Sequence, residues 1–556
     1  MGVLVRIIYL IIVLITFYFP IPLMSLQAVD SNSTIYELFS IWKQKGHLNN
    51  LPIMRPYPIQ VIKNLLNEVV STAEAGDRDL AKKYLAKLSH EDFGKDDFQF
   101  LTSDLVFLGE ASQKGVNQSI LSGINVHALG FIGEEISFSG HFDYWFQPSK
   151  QTSIDLKYMP VEIPMWEIGP SFSVGETLFT GFIDTGVDFV IGNAQTYLQM
   201  GLIQPAFGPF ARGNVVIGDN ISPTPRITIT HQEDRFDATG TLFELKAIKA
   251  VTKTGDLYFL GSSPPGEIIP TKYLTLHAVN FRLTPRIEIG VFQMSLSGQR
   301  ISLYNVLPLP FIFTEPYMGN FDNVLGGTFA HFDLPFQLSV DFLLFIDDWQ
   351  LVEGWHYSSK DQQVNLDPFA NKTAGQMSLV WTPDELSATR FLVGYQFIAP
   401  YMYTHSSHAL LNYMTYTHNG HSFGSSLSPN SDQWMLEVSM SDSIGLSVWS
   451  SLRFISHGNG SDHGAGSVDG DGSIWDDGYN SSGGVTFYGD STFLNQSVIE
   501  ESIQFEVTME YELVLDFMIA RTQFSYGFEH IKNKDLVVTN ENIVDHLFGI
   551  GFELAI

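Results

Sequence analysis

Phe505-Glu-Val-Thr-Met-Glu-Tyr-Glu-Leu-Val-Leu-Asp-Phe-Met-Ile519 carries Phe, Val, Met, Tyr, Leu, Leu, Phe and Ile at its odd positions, with Glu506, Thr508, Glu510, Glu512 and Asp516 between them. A β-strand turns successive side chains to opposite faces. Read as strand, this stretch has one apolar face and one acidic face. The pattern recurs. In residues 334–346 the even positions are Leu, Phe, Leu, Val, Phe, Leu and Ile, with Gln337, Ser339 and Asp341 between them. In residues 279–291 the odd positions are apolar, while Arg282, Arg286 and Glu288 take the other face. Trp434, Leu436, Val438 and Met440 repeat it. A sandwich strand alternates too, but globular strands average about 5 or 6 residues. These runs are longer and match the roughly 9 to 11 residues of a strand that crosses a membrane.

Composition agrees with an outer surface that meets lipid one residue in two. Charged residues are 16% of the 556, below the roughly 25% of ordinary soluble domains, and aromatics reach 13%. The formal net charge is −30, which argues against nucleic acid as a partner, because phosphates attract Lys and Arg. There is no cysteine, so disulfides, thiolate metal sites and cysteine nucleophiles are excluded.

Residues 1–28 read as a signal peptide. Arg6 precedes an apolar run from Ile7 to Phe19, Pro20 and Pro22 end it, and Ala28 suits a cleavage boundary. The run is shorter than the roughly 20 residues of a spanning helix. Residues 29–115 read as a small helical bundle on the periplasmic side, helical to about 108. Ile35, Leu38, Phe39 and Trp42 share one helix face, and Gly46 is a stop. Val61, Ile62, Leu65, Leu66 and Val69 form a second stripe, and Leu80, Tyr84, Leu85 and Leu88 a third. Such stripes need a partner to pack against.

Residues 116–556 read as one large antiparallel transmembrane β-barrel. At about 24 residues per strand and connection it has about 18 strands, an even number as such barrels prefer. Only closure pairs every strand backbone in lipid. The end of the chain fits a closing strand, with His546, Phe548, Ile550, Phe552, Leu554 and Ile556 on one face. The fold class is therefore mainly β, with a small N-terminal α-helical part, and the location is a bacterial outer membrane.

Chemistry-bearing candidates are few. His405 and Ser407 share a strand face, and with Asn419 they allow a His–Ser–Asn hydrolase. The competing reading is a polar segment at the barrel rim. Residues 457–490 are rich in Gly, Ser and Asp, including Asp462, Asp469, Asp471, Asp476, Asp477 and Asp490. Alternating Asp and Gly can wrap a Ca²⁺ ion, but a surface loop uses the same residues for its turns. Glu506, Glu510, Glu512 and Asp516 give either a cation-favouring lumen or partners for Arg282, Arg286 or Arg521. No residue is assigned to catalysis, a cofactor or a metal.

Four blocks together resemble the Wzi family of capsule-assembly barrels. They are Arg55-Pro-Tyr-Pro58; Gly201-Leu-Ile-Gln-Pro-Ala-Phe-Gly-Pro209 continuing through Asp219-Asn220 to Pro223-Thr-Pro-Arg-Ile227; Asp341 to Asp347-Asp348-Trp349; and Tyr395 to His405, followed by Tyr416-Thr-His-Asn-Gly420 and Leu427-Ser-Pro-Asn-Ser-Asp432. The family pattern has an Arg after the first glycine of the second block and a Trp-Gly-Pro-Gly core. Leu202 and Phe207 stand in those places here, and Phe210 follows Pro209. The resemblance implies an 18-stranded barrel, a periplasmic helical bundle and a non-enzymatic role in attaching or organising surface polysaccharide. The rival function is a channel for small solutes. A hydrolase comes third. Expected partners are outer-membrane lipid and surface polysaccharide.

Overall fold

The computed structural model describes residues 34–89 and 99–555, less the segments 115–116, 133–135, 150–166, 175–176, 211–212, 220, 247–270, 299–300, 302–322, 349–371, 387, 405–414, 419–420, 459–492, 497, 516–517 and 539–541. The expected signal peptide lies outside them, as do His405, Ser407, Asn419 and Asp516.

Three helices open the described chain: α1 (Thr34–Gln44), α2 (Ile59–Thr72) and α3 (Ala75–Ser89). Gly46 ends α1 as its sequence position predicted. It sits at a φ of 76°, the His47 N–H reaches the Trp42 carbonyl and the Gly46 N–H that of Lys43, which is the Schellman pattern. The three apolar stripes meet around the fully buried Trp42 and Phe39, and Val190, Tyr197 and Ala388 of the barrel complete that core.

Among the described residues nineteen strands form a closed barrel in which every pairing is antiparallel, and the last strand, Ile543–Ala555, pairs with the first, Gln99–Lys114. Thr177–Gly192 pairs with Glu167–Val174 along one half of an edge and with Thr196–Ile203 along the other, so the wall is eighteen strands round. The barrel begins at Gln99, not at 116, and the helices stop at Ser89. Leu105-Val-Phe-Leu108 is apolar at every position, so its period of two does not show in the sequence.

Outward positions match the alternation. Trp434, Leu436, Val438 and Met440 are exposed, as are Met509, Tyr511 and Leu513, and Phe548, Ile550 and Phe552. Ile519 departs from it. The chain reverses between Leu515 and Met518, Ile519 lies opposite Val514, and its side chain is buried inside the barrel. A reversal resets parity, so an unbroken apolar count across it mixes two faces.

The two ends of the barrel differ. Short turns such as 193–195, 233–235, 335–337 and 442–445 gather at one end, and the helices sit there. Gln44 donates to the carbonyls of Gln337 and Val380 at 2.8 and 2.9 Å, and Lys45 to that of Leu386 at 2.8 Å. The described parts of two longer connections from the other end, within 204–223 and 399–430, fold back into the lumen. Tyr403 Oη donates to the Val215 carbonyl at 2.6 Å and Tyr416 Oη to that of Val216 at 2.8 Å. These segments form an apolar core with the inward side chains Phe243, Leu276, Phe292, Phe329 and Phe345. The link between α1 and α2 enters from below, where Met54–Arg55 pairs with Ala206–Phe207 in a two-stranded sheet. One sector of the wall is therefore dry on its inner face. On the opposite sector, Gln504, Glu506, Thr508, Glu510, Gln523 and Ser525 keep partly exposed inner side chains.

Candidate functional site

The functional geometry lies where α1, the inward segments and the wall converge. Inward positions of successive wall strands bring Glu288 opposite His331, His331 opposite Asp341, and Asp341 opposite Ser378. Lys43 of α1 meets Glu288 at 2.5 Å, and Asn280 donates to the same carboxylate at 3.0 Å. Arg390 lies between Glu437 at 3.2 Å and Glu37 at 3.4 Å. The helix is thus tied to the wall by charge as well as by apolar contact. Buried pairs of this kind resist loss of one partner, because the other is left uncompensated.

His331, Asp341 and Ser378 have the residue types of a nucleophilic triad but not its connectivity. Both ring nitrogens of His331 face carboxylates, Nδ1 with Asp341 at 2.7 Å and Nε2 with Asp333 at 3.0 Å, and Ser378 Oγ donates to Asp341 at 3.3 Å. The serine has no imidazole to take its proton, so this set is an ion network.

The four sequence blocks meet in this region. Arg55 donates to the Phe210 carbonyl at 2.6 Å, and its own carbonyl accepts from Arg226 at 2.9 Å. Phe207, which stands where the family pattern has Trp, is fully buried against Phe292 and Phe329. Gln204 donates to the Asp219 carbonyl at 2.8 Å. Burial pushes the Tyr403 and Tyr416 phenols up, so both remain protonated donors. His418 is also buried. Desolvation first, then the nearby Lys272 and Lys246, lower its pKa to about 3, which leaves Nδ1 free to accept the Lys246 N–H at 3.2 Å. The blocks seat the plug.

The acidic face resolves in part. Glu512 pairs with Arg521 at 2.9 Å and with Lys83 of α3 at 3.2 Å, and Arg521 also binds Glu553 at 2.7 Å. Arg282 pairs with Asp237 instead, and Arg286 is exposed beside a turn. His457 and Gly458 end the strand Leu446–Gly458, with Ser431 Oγ 2.9 Å from His457 Nδ1, so the Gly- and Asp-rich segment starts after them and lies outside the described residues. Among the described residues no group of His, Asp and Glu could hold a metal.

A polar cavity of about 110 Å³ remains between α1, the inward segments and the wall. Gln376, Gln396 and Gln433 lie opposite one another on consecutive strands, and Arg453 reaches it from the next. Sequence reading missed these residues. Their only signal is a polar side chain at an inward position, which every barrel strand provides.

No family model and no curated protein matches the sequence. Among solved structures the chain is similar to Wzi of Escherichia coli, an outer-membrane protein involved in group 1 capsule assembly and described as a carbohydrate-binding β-barrel. Identity is 12%, the TM-score 0.52, and the match covers 94% of this chain and 98% of that one. OprD of Pseudomonas aeruginosa matches with 10% identity and a TM-score of 0.41, over 83% and 96%. At these identities the likeness to Wzi is one of fold. The chain has the fold of a bacterial outer-membrane β-barrel.

Proposed function

We propose that this chain is a non-enzymatic outer-membrane barrel that attaches or organises surface polysaccharide. The observation that carries the reading is the plug: the inward segments, held by Tyr403 and Tyr416, fill one sector of the lumen, and the helices cover its short-turn end. A barrel filled in this way is a scaffold more than a diffusion pore. The fold shared with Wzi, a protein named for carbohydrate binding, supports the same direction. The outward apolar belt meets membrane lipid. Short turns of such barrels face the periplasm; on this reading the helices lie on the periplasmic side, and the Gly- and Asp-rich sequence after Gly458 belongs to the surface side, where its carboxylates would bridge to anionic glycan through divalent cations. The test is retention of surface polysaccharide by cells that lack the protein, complemented with the wild type or with a chain shortened within 459–490. Unchanged retention in all three refutes the role.

A solute channel is the second reading, favoured by the partly exposed inner face of Ile499–Leu515 with Glu506 and Glu510. Steady cation-selective conductance of the purified barrel in a planar bilayer would establish it.

A further inference from the structure

Two polar groups on the cavity have no answer among the described residues. Gln376 is 6% exposed and its Oε1 accepts no hydrogen bond. Arg453 Nε is buried and donates none. Of the other basic residues on the cavity, Lys43 is met by Glu288, Arg390 by Glu37 and Glu437, His331 by Asp333 and Asp341, and Arg55 donates to the Phe210 carbonyl. Burying an acceptor and an N–H donor without partners is unfavourable, and both residues, Gln376 buried and Arg453 half-buried, line one space.

The space has a defined size and floor. Gln376 lies opposite Gln396, Gln396 opposite Gln433, and Arg453 opposite Met435 on the following strand. At about 4.8 Å per strand the two backbones are roughly 14 Å apart along the wall, and long side chains from each side narrow that to one small molecule. Between them Gln433 donates to Gln396 at 2.9 Å and Gln396 to Ser425 at 2.6 Å. Gly394 also faces inward. A Cβ there would come 3.0 Å from Cε of Met435, which lines the cavity.

We propose that this cavity binds a hydroxycarboxylate of sugar-acid size. Its carboxylate pairs with Arg453, one hydroxyl donates to Gln376 Oε1, and further hydroxyls meet the amides of Gln396 and Gln433. A neutral sugar leaves the guanidinium unmatched. A simple aliphatic carboxylate leaves Gln376 unanswered, and a metal cation is repelled by Arg453. The choice of ligand rests on the carbohydrate reading above. The site does not, since it lies inside the barrel.

Calorimetry on the purified full-length barrel in detergent tests this with D-glucuronate, glucose and propionate as probes. Glucuronate binding with glucose and propionate at least tenfold weaker is expected. Arg453→Met should weaken glucuronate at least tenfold, Arg453→Lys should restore part of it, and Gln376→Leu should cost severalfold. Heat-modifiable migration on a gel shows that each variant is folded, and Gln376→Leu with Arg453→Lys keeps the test open if Arg453→Met is not. No glucuronate binding by the folded wild type, or equal binding by the folded variants, overturns the proposal. A uronate trisaccharide titrated in parallel separates sources: binding of the monomer alone marks a free solute, binding of both marks a polysaccharide end. Polysaccharide retention is measured on cells, so either reading can fall while the other stands.

Discussion

The Arg226 guanidinium, on a wall strand, donates to the main-chain carbonyl of Arg55, in the link between α1 and α2, at 2.9 Å. It also donates to Gln199 Oε1 at 3.1 Å, and Gln199 in turn to Asp188 at 2.8 Å. Hydrogen bonds to charged groups contribute about 1.5–3 kcal/mol. Arg226→Met should leave the barrel closed but loosen the link. Trypsin should then cleave after Lys45, at the start of that link, faster in the variant, while heat-modifiable migration stays that of a folded barrel. Equal cleavage would mean the contact does not hold the link.

The two faces of Ile499–Leu515 make a direct comparison. Met509, near the middle of the strand, points outward and Thr508 inward. Met509→Arg should cost about 2–4 kcal/mol, as near the bilayer midplane, and Thr508→Arg far less, read from urea titrations of folding into vesicles. The order must not reverse. Glu512 is a poor control, since it is paired with both Arg521 and Lys83.

Acid should undock the helices before it opens the barrel. Asp77 accepts from Trp42 Nε1 at 3.1 Å, Lys45 at 2.9 Å and the Ala388 N–H at 3.1 Å. Burial raises its pKa, but the Lys45 hydrogen bond and charge and the Trp42 and Ala388 donors outweigh it and hold the carboxyl below its usual range. A depressed carboxylate pKa stabilises above the unfolded value, about 3.9, and that stability is lost as pH falls through the folded one. Trp42 emission should therefore change below about pH 4, and Asp77→Asn should show the change already at neutral pH.

The plug carries a second titration of different range. The His418 pKa is lowered to about 3 by burial and by Lys272 and Lys246. The unfolded ring binds its proton near pH 6.5, so the unfolded chain holds more protons between those values and stability falls as pH drops from about 6.5 toward 3. Protection factors of the Tyr416 and Phe423 amides, which remove the intrinsic pH dependence of exchange, should be lower at pH 5 than at pH 7.5, and His418→Gln should flatten that difference.

The period of two in 505–515 and 434–440 gave the strands, their long reach and the outward face, because lipid imposes one parity on every strand. The reversal between Leu515 and Met518 was hidden, since apolar residues lie on both sides of it. The first strand was hidden for a related reason, as Leu105 to Leu108 is apolar at consecutive positions. The cavity was not legible at all. Gln376 and Arg453 lie 77 positions apart in sequence, and only the register of four strands brings them to one space. The four blocks were legible as a set, yet their work in seating Arg55, Phe207, Tyr403 and Tyr416 required the inward folding of two connections that no local pattern announces.

The uneven filling of the lumen makes the wall mechanically unequal. Strands such as Thr271–Thr284 have packed side chains within and an apolar belt without, so bending them breaks contacts on both sides. At the join between Gln99–Lys114 and Ile543–Ala555, the inward Asp545, Leu547 and Glu553 of the last strand remain partly exposed, less packed than the filled sector. Under lateral strain the cylinder should therefore part along that join, the one place where chain start and chain end are zipped together, and the filled side should act as its hinge.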